Sequence, residues 1–157
     1  MSHFYLDASA VVKRYSPETG SAWVKGLTDP TVGHAIVLGE ITLAEVAAAI
    51  AAKHRAPGGI TLEERDNAIA LFLSHCMTDY ELIAVNRSII ERAVNLTLNH
   101  KLRGYDAVQL ATALAANEAL TAADLAPLIF VAADADLMAA AGAEGLATEN
   151  PNLHVTS

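Results

Sequence analysis

The chain has 157 residues, 53% of them hydrophobic and only 5% aromatic, with one cysteine and a formal charge of −8. That size and apolar fraction suit one domain, 1–157, with room for a proper core, and few aromatics favour packed helices over an aromatic-rich sandwich. The charge opposes a grip on nucleic acid by bulk electrostatics, so any such contact must be local.

Further exclusions follow from what the chain lacks. No apolar run reaches the roughly 20 residues of a membrane span, and the first residues lack the basic and apolar stretches of a signal peptide; no membrane association and a cytoplasmic setting are the expectation. Cys76 has no partner for a disulfide, and six histidines without paired spacing argue against zinc. Any metal is expected on oxygen.

In chain order, His3-Phe4-Tyr5-Leu6 reads as a strand that runs into Asp7, followed by small residues that open a helix near Ala8. A carboxylate so placed stands at the C-terminal end of a strand, where open α/β sheets keep their ligand crevice. The helix must stop by Pro17, a second short one spans Thr19 to Leu27, and Asp29-Pro30 is a turn. His34 to Leu38 is a second strand. Thr42-Leu43-Ala44-Glu45 then opens an alanine-rich helix to about Ala56. As a capping box, Glu45 would only reach back to the Thr42 amide; following a strand and loop as Asp7 does, it could instead face the same crevice. Glu40 is a further acid beside it, without an assigned role.

Pro57-Gly58-Gly59 ends that helix, and Thr61 with Glu64 forms a cleaner capping box for the next, which reaches about Thr78. Glu81 to Val85 is a third strand, and Asn86 caps an amphipathic helix running to about Asn99. Another helix opens with Asp106 in its first turn and Gln109 on the same face. Taken alone, such an acid only complements the helix dipole, worth about 0.3 to 1 kcal/mol. Leu128 to Ala132 is a strand leading through Ala133 to Asp134 and Asp136, which repeats the pattern of Asp7. From Gly142 onward the chain reads as a turn, a short edge strand near Leu146 and a polar end.

Alternating strands and helices predict an α/β fold, a mainly parallel sheet of four or five strands flanked by helices. Asp7, Glu45, Asp106 and Asp134 then gather at one sheet edge. Four bare carboxylates there repel one another and raise each other's pKa values unless a cation joins them. Oxygen donors of this kind suit Mg²⁺ or Mn²⁺, which activate water and stabilise charge in phosphodiester hydrolysis. The basic groups Lys13-Arg14, Lys53-His54-Arg55 and His100-Lys101-Arg103 each lie within a few turns of one of these acids. Taken singly, each is an ordinary solvated helix face.

Leu6-Asp7-Ala8-Ser9-Ala10, Ile41 to Val46, Arg103 to Ala111 and Phe130 to Leu137 resemble, in order, the four motifs of PIN-domain ribonucleases, in particular the VapC-type toxins of bacterial toxin-antitoxin pairs. The resemblance implies a PIN-like fold and a Mg²⁺- or Mn²⁺-dependent endoribonuclease acting on RNA. It also implies dimerisation through helices and neutralisation by a small cognate antitoxin. Carried over, Asp7, Glu45, Asp106 and Asp134 are the metal-binding acids, with Ser9, Asp136 and Gln109 around them; Ser9 matches a hydroxyl residue that orients water. Lys13, Arg14 and Arg103 are the candidate RNA contacts. One departure is Ala132, where many relatives carry Thr or Ser.

Three other readings compete. A phosphoaspartate enzyme wants a second acid two residues after the first, where Ser9 stands, and a receiver-type signalling domain wants its acids in another arrangement. A non-catalytic PIN-like module that binds an antitoxin or RNA is the stronger rival: the acidic charge and Ala132 favour it, and retention of four acids opposes it.

Overall fold

The computed structural model describes residues 1–155. Its centre is a five-stranded, wholly parallel sheet built from β1 (His3–Leu6), β2 (Ala35–Gly39), β3 (Tyr80–Ile83), β4 (Ile129–Val131) and β5 (Ala147–Glu149), in the order β3-β2-β1-β4-β5. Tyr5 lies in register with Val37 on one side and Phe130 on the other. The three inner strands, β2, β1 and β4, read as short apolar runs because the sheet is covered on both faces there. Tyr5, Val37 and Phe130 point into one core, while Phe4, Leu6, Ile36, Leu38 and Val131 point into a second.

Helices α1 (Ala8–Val11), α2 (Ser21–Thr28), α3 (Ile41–Arg55) and α4 (Leu62–Thr78) pack on the second core. Helices α5 (Arg87–Asn99), α6 (Gly104–Ala122) and α7 (Ala135–Ala143) pack on the first. Among them α6 is buried most completely: Ala107 and every residue from Gln109 to Leu114 are shielded from water. Its alanines let neighbouring elements approach from all sides, which a one-faced amphipathic helix does not require. Among the described residues no helix is long and apolar enough to cross a membrane.

Local signals account for most boundaries. Thr61 and Glu64 form the expected reciprocal capping box of α4, and the Asn86 side chain accepts from the Ile89 amide at the start of α5. The third strand begins one residue earlier than expected and stops at Ile83, whose carbonyl accepts from the Glu40 amide. Of the two readings of Glu45, the capping box with Thr42 does not form. Helix α3 starts at Ile41 behind Glu40, which gives no side-chain cap, so Thr42 and Glu45 already lie inside the first turns.

Strand order decides where a site can be. From β1 the chain moves outward to β2 and β3, then returns to the other side of β1 for β4 and β5. The connections leaving β1 and β4 therefore diverge, opening a crevice beyond the carboxyl ends of those two adjacent strands. Residues 151–154 dock on α2: His154 stacks on Trp23 with ring centroids 4.2 Å apart. Gly20 makes this docking possible. Its φ is +86°, and a Cβ there would lie 2.4 Å from the Pro151 carbonyl oxygen.

Candidate active site at the carboxyl edge of the sheet

Asp7 leaves β1 and caps α1. Only 5% exposed, it accepts through Oδ1 from the Ser9 hydroxyl at 2.7 Å and the Ala10 amide at 3.1 Å. The backbone holds it at the crevice, since the Asp7 amide donates to the Val131 carbonyl of β4. Ser9 closes the seam from the other side, its Oγ accepting from the Ala133 amide at 3.0 Å. Burial, with the nearby charges of Glu45 and Asp106, pushes the Asp7 carboxyl up to about 7, against the opposing effect of its two hydrogen bonds.

Glu45 comes to the same crevice from α3 because no cap diverts it. Its Oε1 accepts from Gln109 Nε2 at 2.6 Å. Burial holds its pKa above the ordinary glutamate range, aided by Asp106 and opposed by the Gln109 hydrogen bond. Asp106, in the first turn of α6, is half-buried; burial and then Asp134 raise its pKa, while Arg103 works the other way. Asp134 caps α7, accepting from the Leu137 amide at 2.9 Å, and stands exposed on the rim.

Mutual elevation of this kind marks carboxylates arranged to share a positive charge. In type and charge the set fits a hard divalent cation better than any nitrogen- or sulfur-seeking ion. Among the described residues, however, no three carboxylate, imidazole or thiolate groups converge at chelating distance.

Beside the acids lies an open cavity of about 450 Å³ whose lining includes His100, Lys101, Arg103, Asp106, Asp134 and Asp136. Its lining mixes carboxylates with basic side chains. Lys101 and Asp136 approach to 3.6 Å, and His100 is held by Glu144 at 2.8 Å. Arg103 is exposed at the N-terminus of α6, its guanidinium donating to the Tyr105 hydroxyl at 2.6 Å.

The other two candidate RNA contacts have partners within the fold. Lys13 is buried and ion-paired with Glu18 at 2.8 Å. Arg14 donates to the Tyr80 hydroxyl at 2.8 Å, and Tyr80 opens β3 at the sheet end away from Asp7. Both cations are engaged within the fold. Of the remaining residues, Gln109 is 1% exposed and bridges α6 to α3, and Glu40 is exposed on the rim. Ala132 is buried under α5, α6 and α7, so a hydroxyl there would enter the core. Thr42 and Tyr5 emerge as participants, because both bond to Gln109. The sequence offered no signal for Tyr5 beyond a polar tip on a strand residue.

The family model of the PIN domain matches residues 4–143. The chain belongs to the PIN-domain family. Solved structures resemble this PIN domain along nearly its whole length at low identity. The structure of FitAB bound to the IR36 DNA fragment aligns with TM-score 0.65 and 15% identity over 98% of each chain. VapBC2 from Rickettsia felis, bound to a DNA fragment from their promoter, gives 0.62 and 14%, covering 94% of this chain and 98% of the other. VapC20 from Mycobacterium tuberculosis, a sarcin-ricin loop cleaving toxin, gives 0.58 and 17%, covering 91% and 95%. No curated protein matches the chain.

Proposed function

We propose that this PIN domain is an endoribonuclease that hydrolyses RNA phosphodiester bonds, serving as the toxin of a toxin-antitoxin pair. The observation that carries the reading is the buried, electrostatically strained Asp7 at the sheet's switch point, within reach of the charges of Glu45 and Asp106. Buried carboxyls crowded by other acids in a crevice cluster at functional sites. Structural relatives described as a sarcin-ricin loop cleaving toxin and as a toxin-antitoxin complex from Klebsiella pneumoniae support the substrate class and the biological setting.

In this reading Asp7, Glu45 and Asp106 hold one Mg²⁺ or Mn²⁺, and Asp134 completes the site or holds a second ion. The ion supplies Lewis acidity and charge neutralisation toward a phosphodiester. The chain's own groups do the rest. Ser9 fixes the Asp7 carboxylate and the α7 loop in one seam, while Arg103 and Lys101, which line the same cavity as Asp106 and Asp134, offer positive charge to the RNA backbone. The protein works in the cytoplasm as a homodimer, restrained by a small antitoxin.

A second reading is a PIN-like module that binds an antitoxin or RNA without cutting, favoured by the lack of three converging donors among the described residues. One experiment separates the two: purified, antitoxin-free protein is incubated with a cellular RNA pool in Mg²⁺, in Mn²⁺ and in EDTA, beside Asp7→Asn. Discrete products that need the metal and vanish in the variant support the nuclease. A folded protein that cuts nothing under any metal supports the binding module.

A further inference from the structure

Beneath Glu45 lies a buried polar chain that no packing requirement explains. Gln109 projects from the most enclosed part of α6 and is 1% exposed. Its Nε2 donates to Thr42 Oγ1 at 2.9 Å and to Glu45 Oε1 at 2.6 Å, and its Oε1 accepts from the Tyr5 hydroxyl at 2.5 Å. Both amide hydrogens are spent, and the tyrosine bond orients the amide so that nitrogen, not oxygen, meets the carboxylate.

Tyr5 reaches this point because of what β2 lacks. A Cβ on Gly39 would lie 2.9 Å from the Tyr5 hydroxyl and 3.3 Å from Thr112 Cγ2. The Tyr5 ring is fixed independently, stacked on Phe130 with centroids 5.6 Å apart and planes 7° from parallel. A fully buried phenol, amide and threonine hydroxyl are costly to desolvate, and here the phenol and the threonine hydroxyl both bond to the Gln109 amide, which alone reaches one carboxylate oxygen of Glu45. Among the described residues no protein donor reaches the other oxygen, Oε2.

The geometry points to Tyr5, Gln109 and Thr42 as a positioning relay that fixes the Glu45 carboxylate for its role at the acid site. This inference rests on the nuclease reading. Tyr5 anchors the Gln109 amide, and Gln109 with Thr42 locks the rotamer of Glu45, leaving Oε2 for a cation. None of the three touches the substrate. Orienting partners of this kind typically change metal affinity or activity about 10- to 100-fold when removed.

The test uses Tyr5→Phe, which deletes the hydroxyl and keeps the stack, with Gly39→Ala as an independent way to push that hydroxyl out of place. Two readouts are taken on the full chain. First, the NMR resonances of the Gln109 side-chain amide are followed: they should be slow to exchange in the parent protein and move toward free-amide values, with faster exchange, in both variants. Second, Mn²⁺ binding is measured by calorimetry beside cleavage. The Mn²⁺ dissociation constant should weaken about 10-fold, and kcat should fall with KM for RNA unchanged and recover at raised Mn²⁺. Unmoved amide signals, or unchanged Mn²⁺ affinity in both variants, would overturn the relay. A parent protein that binds no Mn²⁺ and cuts no RNA would instead sink the nuclease reading, and the amide signals alone would then decide whether the relay orients Glu45.

Discussion

Asp7→Asn should make the protein more stable while making it inactive, with a pH dependence fixed by the structure. The carboxyl titrates near 3.8 in the unfolded chain and near 7 in the fold, raised by burial and by Glu45 and Asp106. Because the folded value is raised, the fold binds the proton more tightly than the unfolded chain. Stability from this group is therefore fully present below about pH 3.8 and drains away as pH rises toward 7. Over that window the difference corresponds to about 4 kcal/mol, an upper bound that water in the crevice reduces. Asparagine keeps the acceptor for Ser9 and Ala10 but carries no charge. Urea unfolding of metal-free protein should show variant and parent equal near pH 4, with the variant ahead by about 2 to 4 kcal/mol at pH 8. Added Mg²⁺ should narrow the gap by stabilising the parent alone. Equal stability at pH 8 without metal would refute the account of Asp7 as a strained, buried charge.

Other predictions follow from separate parts of the molecule. Arg103→Ala should raise KM for RNA with little change in kcat and lower the salt dependence of binding by about one phosphate contact, measured by fluorescence anisotropy at several ionic strengths. Lys13→Ala should leave RNA affinity unchanged and lower thermal stability, because its charge is spent on Glu18. Phe72→Ala, which removes a fully buried side chain of α4, should cost about 3 to 5 kcal/mol in urea unfolding. Gly20→Ala should lower the melting temperature through its left-handed backbone and its collision with Pro151, at a cost of about 1 to 3 kcal/mol.

How much of this was legible in the sequence depended on how far apart the cooperating residues lie. Asp7 and Asp134 could be read directly, since each follows an apolar strand and opens a helix, and the parallel topology then brings both to the crevice. Caps at Thr61 and Asn86 were equally local. Glu45 was ambiguous because Thr-Leu-Ala-Glu is spaced like a capping box. The deciding contact is Gln109, 64 positions away, and spacing within one helix cannot show it. Lys13 and Arg14 show a second limit of local reading. A Lys-Arg pair reads as a solvated basic face until Glu18 and Tyr80 fold onto it. Tyr5 was hidden for a third reason: its strand position marks it as core, and its hydroxyl matters only because Gly39 leaves room.

The most direct test of the central claim is a single-turnover cleavage series on one defined RNA, comparing the parent with Asp7→Asn, Glu45→Gln, Asp106→Asn and Asp134→Asn across a Mg²⁺ titration. If the crevice is the site of RNA hydrolysis, cleavage requires the ion. Asp7→Asn should then be inactive, and the variants at Glu45 and Asp106 should lose at least about 100-fold, or about 2.7 kcal/mol of transition-state stabilisation. Cleavage that survives EDTA, or that persists in Asp7→Asn at the parent rate, would contradict it.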